Sequence, residues 1–194
     1  MPDVDTDLIS PSHGGRGDPG ASAFAALRYL DDGSENPDFV LNRELFRGAP
    51  ILLAGTNFGC GSSRETAVWA LRALGIRCVI AESFGDIFAA NCFQNGVLAI
   101  SLVRSVIERI ATEASDGADV EIDLRSQTLR LPSGHTEAFE IGASQRLRLL
   151  EGLDELDLGV RRRELVVAFQ ERDRERRPWV YPAQEDVRWR TVPL

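Results

Sequence analysis

Lysine is absent: all 22 basic side chains of this 194-residue chain are arginines. That excludes mechanisms built on a lysine amine, among them lysine Schiff bases, lipoyl or biotinyl attachment and the phosphate-gripping lysine of a Walker loop. Cysteine is scarce. Cys60, Cys78 and Cys92 are dispersed and lack the Cys-x-x-Cys clustering of a cluster-binding or zinc-binding sequence. An odd, scattered set reads as reduced thiols in a cytoplasmic protein. The two histidines, His13 and His135, stand in unrelated segments and suggest no metal site. Apolar runs are short, such as residues 78–81, where a membrane helix needs about 20 residues. The first residues are acidic and polar, unlike a secretory leader. The net charge of −8 argues against nucleic acid, which needs a concentrated basic surface. The densest basic stretch, residues 161–177, is diluted by Glu164, Glu171, Asp173 and Glu175 and reads as a solvated helix face.

The length fits one domain with a core of its own. Residues 3–47 are turn-rich, with a loop over 13–20 and a short helix predicted over 22–30. From Ile51 the text becomes regular. A buried strand over 51–54 leads through a glycine loop into a helix over 62–74, closed by Gly75. A second strand follows over 76–81, a helix over 83–91, a third strand over 97–101 and a helix over 105–114 opened by a Ser105…Glu108 capping box. Beyond Gly117 the period falls to two, which predicts a hairpin of strands 120–124 and 128–131 and a further strand over 139–141. Helices are predicted over 144–150 and 162–176, then an extended tail over 178–194. The expectation is one α/β domain over 1–194 with a mixed sheet and a core of about 36–176.

The chemistry concentrates in Gly55-Thr56-Asn57-Phe58-Gly59-Cys60-Gly61-Ser62-Ser63-Arg64-Glu65, between the first buried strand and a helix. Free backbone N–H groups and the positive helix end make such junctions anion-binding. A Walker loop is excluded for want of lysine, and the dinucleotide fingerprint fails where Arg64 replaces its third glycine. A guanidinium there matches a carboxylate with two parallel hydrogen bonds. Ser62 and Glu65 also have capping-box spacing, so the serines are open to two readings: a helix cap, or hydroxyls at an oxyanion site.

The run over residues 55–71, GTNFGCGSSRETAVWAL, resembles the small subunits of 3-isopropylmalate dehydratases, which correspond to the swivelling C-terminal domain of the aconitase family. Asp3-Val4-Asp5-Thr6-Asp7, Asn36-Pro37-Asp38-Phe39-Val40-Leu41-Asn42, Ser83-Phe84-Gly85-Asp86-Ile87-Phe88 and Asn91-Cys92-Phe93-Gln94-Asn95-Gly96 extend the resemblance over most of residues 3–182. It implies a swivelling β/β/α domain that closes an active site carried by a separate large subunit. That partner would hold a [4Fe–4S] cluster, and this chain no cofactor or metal. It further implies that Ser62 is the base taking a proton beside a carboxylate, and that Ser63 and Arg64 hold a carboxylate. Asp7 matches the family's active-site aspartate, with turn capping as its alternative. Cys60 matches a small residue of the loop.

Thr66 stands where the family usually has histidine, Val68 where proline is common, and the early loop is shortened around Arg16. Arg16 and Arg28 are candidates to meet a distal carboxylate, each with an exposed-charge alternative. The implied activity is interconversion of 2- and 3-isopropylmalate, a small dicarboxylate substrate, in leucine biosynthesis. The alternatives are a related dehydratase for dimethylmalate, citramalate or homoaconitate, or a non-catalytic carboxylate-binding regulatory module.

Overall fold

The computed structural model describes residues 1–11, 19–61 and 64–181. Three apolar segments form a parallel sheet: β1 (Ile51–Leu53), β2 (Cys78–Ala81) and β3 (Leu98–Ser101), in the order β1-β2-β3. All four residues of β2 are buried, which explains the unbroken apolar run where a one-faced strand would alternate. Leu52 pairs with Val79 and Val79 with Ala99. Parallel neighbours require crossovers. Helices α4 (Glu65–Ala73), α5 (Asp86–Gln94) and α6 (Arg104–Glu113) alternate with the strands along the chain. Ala67, Val68, Ala70 and Leu71 form the buried stripe of α4, at the three-to-four-residue spacing of a helix face.

The second sheet is antiparallel, β4 (Glu121–Asp123), β5 (Thr128–Arg130) and β6 (Thr136–Ala138) in that order. Leu129 at its centre is fully buried, with Leu131 and Phe139 close behind. The fold is α/β with both kinds of strand pairing, each in its own sheet. The third strand forms over Thr136–Ala138, earlier than predicted, and Phe139 follows as an anchor in the core.

Ahead of the parallel sheet lie α1 (Thr6–Ile9), α2 (Pro19–Ser22) and α3 (Ala25–Arg28), the last two replacing the single helix predicted over 22–30. Phe24 breaks it with a left-handed backbone (φ 52°). Its ring is buried and lies 5.7 Å from that of Phe39, so tertiary packing overrides local helix preference. The buried apolar residues run from Val4 to Phe139, so the core takes in the N-terminal segment that the sequence places outside 36–176.

The chain forms two compact units, Met1–Gly152 and Leu153–Leu194. Helix α7 (Ala143–Glu151) ends the first at Gly152, a left-handed cap (φ 63°). The second holds α8 (Glu155–Arg161), α9 (Arg163–Arg176) and a 3₁₀ turn over Pro178–Val180. Sequence periodicity missed α8, which opens with a reciprocal Asp154–Asp157 capping box. The tail turns where an extended run was predicted: Arg177 donates twice to Asp173 at 2.8 Å, and the Tyr181 hydroxyl donates to the same carboxylate at 2.9 Å. Residues beyond 181 lie outside the described residues. The predicted Ser105 cap is also displaced. Helix α6 begins at Arg104, behind Val103, whose side chain has no acceptor to offer its amides.

Candidate active site

Residues 55–61 connect β1 to α4 and are held from both sides by main chain. On one side Asp3 N–H donates to Thr56 O (2.9 Å), Thr6 N–H to Cys60 O (3.0 Å) and Gly59 N–H to Val4 O (2.7 Å). On the other, Phe58 N–H donates to Ser83 O (3.0 Å) and Gly85 N–H to Phe58 O (2.9 Å). Glycine is required by this crowding. A Cβ on Gly55 would fall on the Met1 carbonyl, and one on Gly59, where φ is +73°, would fall on the Phe88 ring. The Ser83 hydroxyl adds a side-chain pin, accepting from Asn57 N–H at 2.8 Å and bonding the Thr56 hydroxyl at 3.0 Å. Asn57, itself left-handed (φ 57°), donates its amide to the Asp3 carboxylate at 2.8 Å.

The N-terminal segment delivers Asp7 to this loop. Asp5 caps α1, accepting Leu8 N–H at 2.7 Å. The capping alternative for Asp7 therefore goes to its neighbour. The Asp7 carboxylate meets the Arg64 guanidinium at 2.9 Å, with the two side chains 56% and 30% exposed. Two of the residues predicted for the site thus come together from opposite ends of the motif set. Arg64 occupies the N-cap position of α4 with an extended backbone (φ −116°, ψ 117°), and its side chain makes no capping bond. The guanidinium is turned to Asp7 and away from the helix amides.

The capping box predicted for Ser62 and Glu65 falls in part on residues outside the described ones. Helix α4 begins at Glu65, and the Glu65 carboxylate accepts from the Asn95 amide at 3.0 Å. Ser62, Ser63 and Arg16 lie outside the described residues, as does His13. Sequence reasoning missed Ser83 and Asn95. Their signal was faint: a serine opening the motif Ser83–Phe88, and an Asn-Gly pair at the end of the motif Asn91–Gly96 that locally reads as a turn.

The aconitase C-terminal domain model matches residues 22–105. The 3-isopropylmalate dehydratase small subunit of Rhodospirillum centenum is 47% identical over 182 residues, covering 91% of this chain and 90% of that one. The corresponding subunit of Jannaschia sp. is 48% identical over 183 residues, covering 91% of each. This chain belongs to the family of 3-isopropylmalate dehydratase small subunits. The solved 3-isopropylmalate dehydratase structure from Methanocaldococcus jannaschii is 30% identical, with a TM-score of 0.60, over 87% of this chain and 93% of that one.

Within this small-subunit frame Arg28 has a bracing position, and the exposed-charge alternative fails. It is buried, donating to Gly20 O at 2.7 Å and Asn42 Oδ1 at 3.4 Å, while Asn42 donates back to Arg28 O at 2.7 Å. Burial in apolar surroundings pushes the Cys78 thiol up to about 12 and the Cys92 thiol higher still. Both stay protonated, and Cys60 is the partly exposed thiol. Among the described residues no three His, Cys, Asp or Glu side chains converge on a metal position. The thiols of this small subunit do not fit the ligand set of an iron–sulfur cluster.

Proposed function

We propose that this chain serves, with a separate large subunit, as the small subunit of a hydro-lyase that interconverts 2- and 3-isopropylmalate in leucine biosynthesis. The carrying observation is the Asp7–Arg64 pair at 2.9 Å, set at the start of α4 beside the anchored glycine loop. Arg64 has a fixed base and a guanidinium partly open to solvent, the requirement for gripping a substrate carboxylate with paired hydrogen bonds. Asp7 takes one edge of that guanidinium and orients it. Ser62 removes the proton from the carbon beside the carboxylate, and Ser63 helps Arg64 hold the carboxylate. A serine oxygen is a competent base only where nearby donors stabilise its alkoxide, and the cationic Arg64 and the N-terminal end of α4 offer such stabilisation.

The [4Fe–4S] cluster belongs to the large subunit in this reading, and the complex works in the cytoplasm. No helix among the described residues is long and apolar enough to cross a membrane. A second substrate reading rests on Thr66, which is exposed in the first turn of α4. With the altered loop around Arg16, it favours testing dimethylmalate, citramalate and homoaconitate beside 3-isopropylmalate. The experiment is reconstitution with the cognate large subunit, followed by turnover of that panel and iron analysis of each chain alone. Preferred turnover of 3-isopropylmalate, with iron only in the large subunit, is the expected result. Preference for another malate would replace the substrate, and stoichiometric iron in this chain would overturn the division of labour.

A further inference from the structure

Arg64 carries an acidic neighbour in the chain itself. Glu65 is adjacent in sequence and exposed, so its carboxylate is a second acidic candidate for the guanidinium that the proposed function reserves for substrate. Within 4.0 Å among the described residues, Arg64 nonetheless pairs with Asp7. Glu65 is engaged elsewhere, by Asn95 Nδ2 at 3.0 Å. The Asn95 amide is itself fixed at every usable atom. It accepts the Trp69 indole N–H at 2.9 Å and donates to the Asn91 carbonyl at 2.9 Å, while its backbone caps the end of α5. Trp69 lies one turn beyond Glu65 on the same face of α4, so both contacts to Asn95 come from one stripe.

We propose that Asn95 is a positioning residue for substrate binding: by holding Glu65 it keeps that carboxylate from pairing with Arg64. This inference rests on the proposed role of Arg64 and adds a determinant of affinity that lies on a different helix. A simple brace between α4 and α5 would make the same hydrogen bonds, so the decisive test separates the charge of Glu65 from the bond that holds it.

The variants are Asn95→Ala, Glu65→Gln and the double variant, assayed for 3-isopropylmalate turnover in the complex with the cognate large subunit, with melting temperatures in parallel. Asn95→Ala frees Glu65 and should raise KM about fivefold with kcat little changed, the effect of a competing ion pair at a partly exposed site. Glu65→Gln retains an acceptor for Asn95 and should stay near wild type. The double variant removes both the holder and the competing charge. Its KM should return to within about twofold of wild type, while its melting temperature stays as low as that of Asn95→Ala. A double variant no better than Asn95→Ala, or an unchanged KM in Asn95→Ala, overturns the proposal. In the isolated chain, the Arg64 Nε–H resonance should shift in Asn95→Ala and revert in the double variant; absence of that shift also overturns it. Wild-type complex without turnover of any malate would instead refute the functional reading, which the resonance does not depend on.

Discussion

Two strand-to-helix junctions of the same parallel sheet differ sharply. Between β3 and α6 the chain needs only Leu102 and Val103. That connection is tied to the sheet by Leu102 N–H to Ala81 O at 3.0 Å, its Val103 carbonyl accepting only from the α6 amides of Val106 and Ile107, and leaves Val103 67% exposed. Between β1 and α4 it runs from Ala54 to Arg64, carries Gly55, Gly59 and Gly61, and is bonded along both edges. Both junctions lie at the carboxyl ends of parallel strands, where α/β sheets bind ligands. Position at the strand ends alone does not tell them apart. The longer junction is distinguished by two-sided anchoring, which keeps an open loop from collapsing and fixes Asp7 against Arg64.

The largest expected effect tests that anchoring. Gly59→Ala should cost about 3 kcal/mol, because the new Cβ meets the buried Phe88 ring in a left-handed backbone. Gly96→Ala has a similar φ of +70° but open space around it, and should cost only about 1 kcal/mol. Thermal or denaturant unfolding of the two would compare crowding plus strain with strain alone; equal losses would remove the packing argument. Arg64→Lys comes next. In the assembled complex it should lower kcat/KM by about one to two powers of ten, since lysine cannot reproduce a paired hydrogen bond to a carboxylate. A lower melting temperature with normal kinetics would reduce Arg64 to a support for the loop. At the short junction, Val103→Asp places an acceptor at an uncapped helix start and should gain about 1 kcal/mol of stability without altering turnover. Altered kinetics there would erase the contrast between the junctions.

The smallest effect is local and acid-dependent. Arg177, then Tyr181, hold the Asp173 carboxyl below its ordinary value, against opposition from desolvation. A depressed carboxyl stabilises the folded form above the usual aspartate range, and that contribution is lost as pH falls through the folded value. The turn at Pro178–Val180 should therefore loosen at acid pH before the first unit unfolds. Trp179, 75% exposed, sits in that turn, and its fluorescence should shift first. Coincident transitions would contradict this.

Much of this was legible in the sequence because it is written as local pattern. The three parallel strands are apolar runs, the hairpin alternates, and the glycine loop before Arg64 marks the candidate site. What escaped depends on contacts between segments far apart in the chain. Asp5 and Asp7 are chemically equivalent until the backbone shows that Asp5 caps Leu8 and Asp7 faces Arg64. Nothing local to Glu65 announces that Asn95, on the next helix, donates to its carboxylate. Arg28 reads as a surface charge but is buried against carbonyls and Asn42, a matter of where residues 20–42 fold back. Phe24 stops a helix that its neighbours favour because its ring belongs to the core.

The claim that the β1–α4 junction is the reacting end of this subunit turns on Ser62. The direct measurement is single-turnover and steady-state kinetics of Ser62→Ala in the reconstituted complex, with binding of the large subunit and melting temperature followed on the same samples. Removing a general base should lower the rate by a factor of about 10² or more, while partner binding and stability stay near wild type. A variant that retains most of its rate would contradict the account and leave the junction a structural loop.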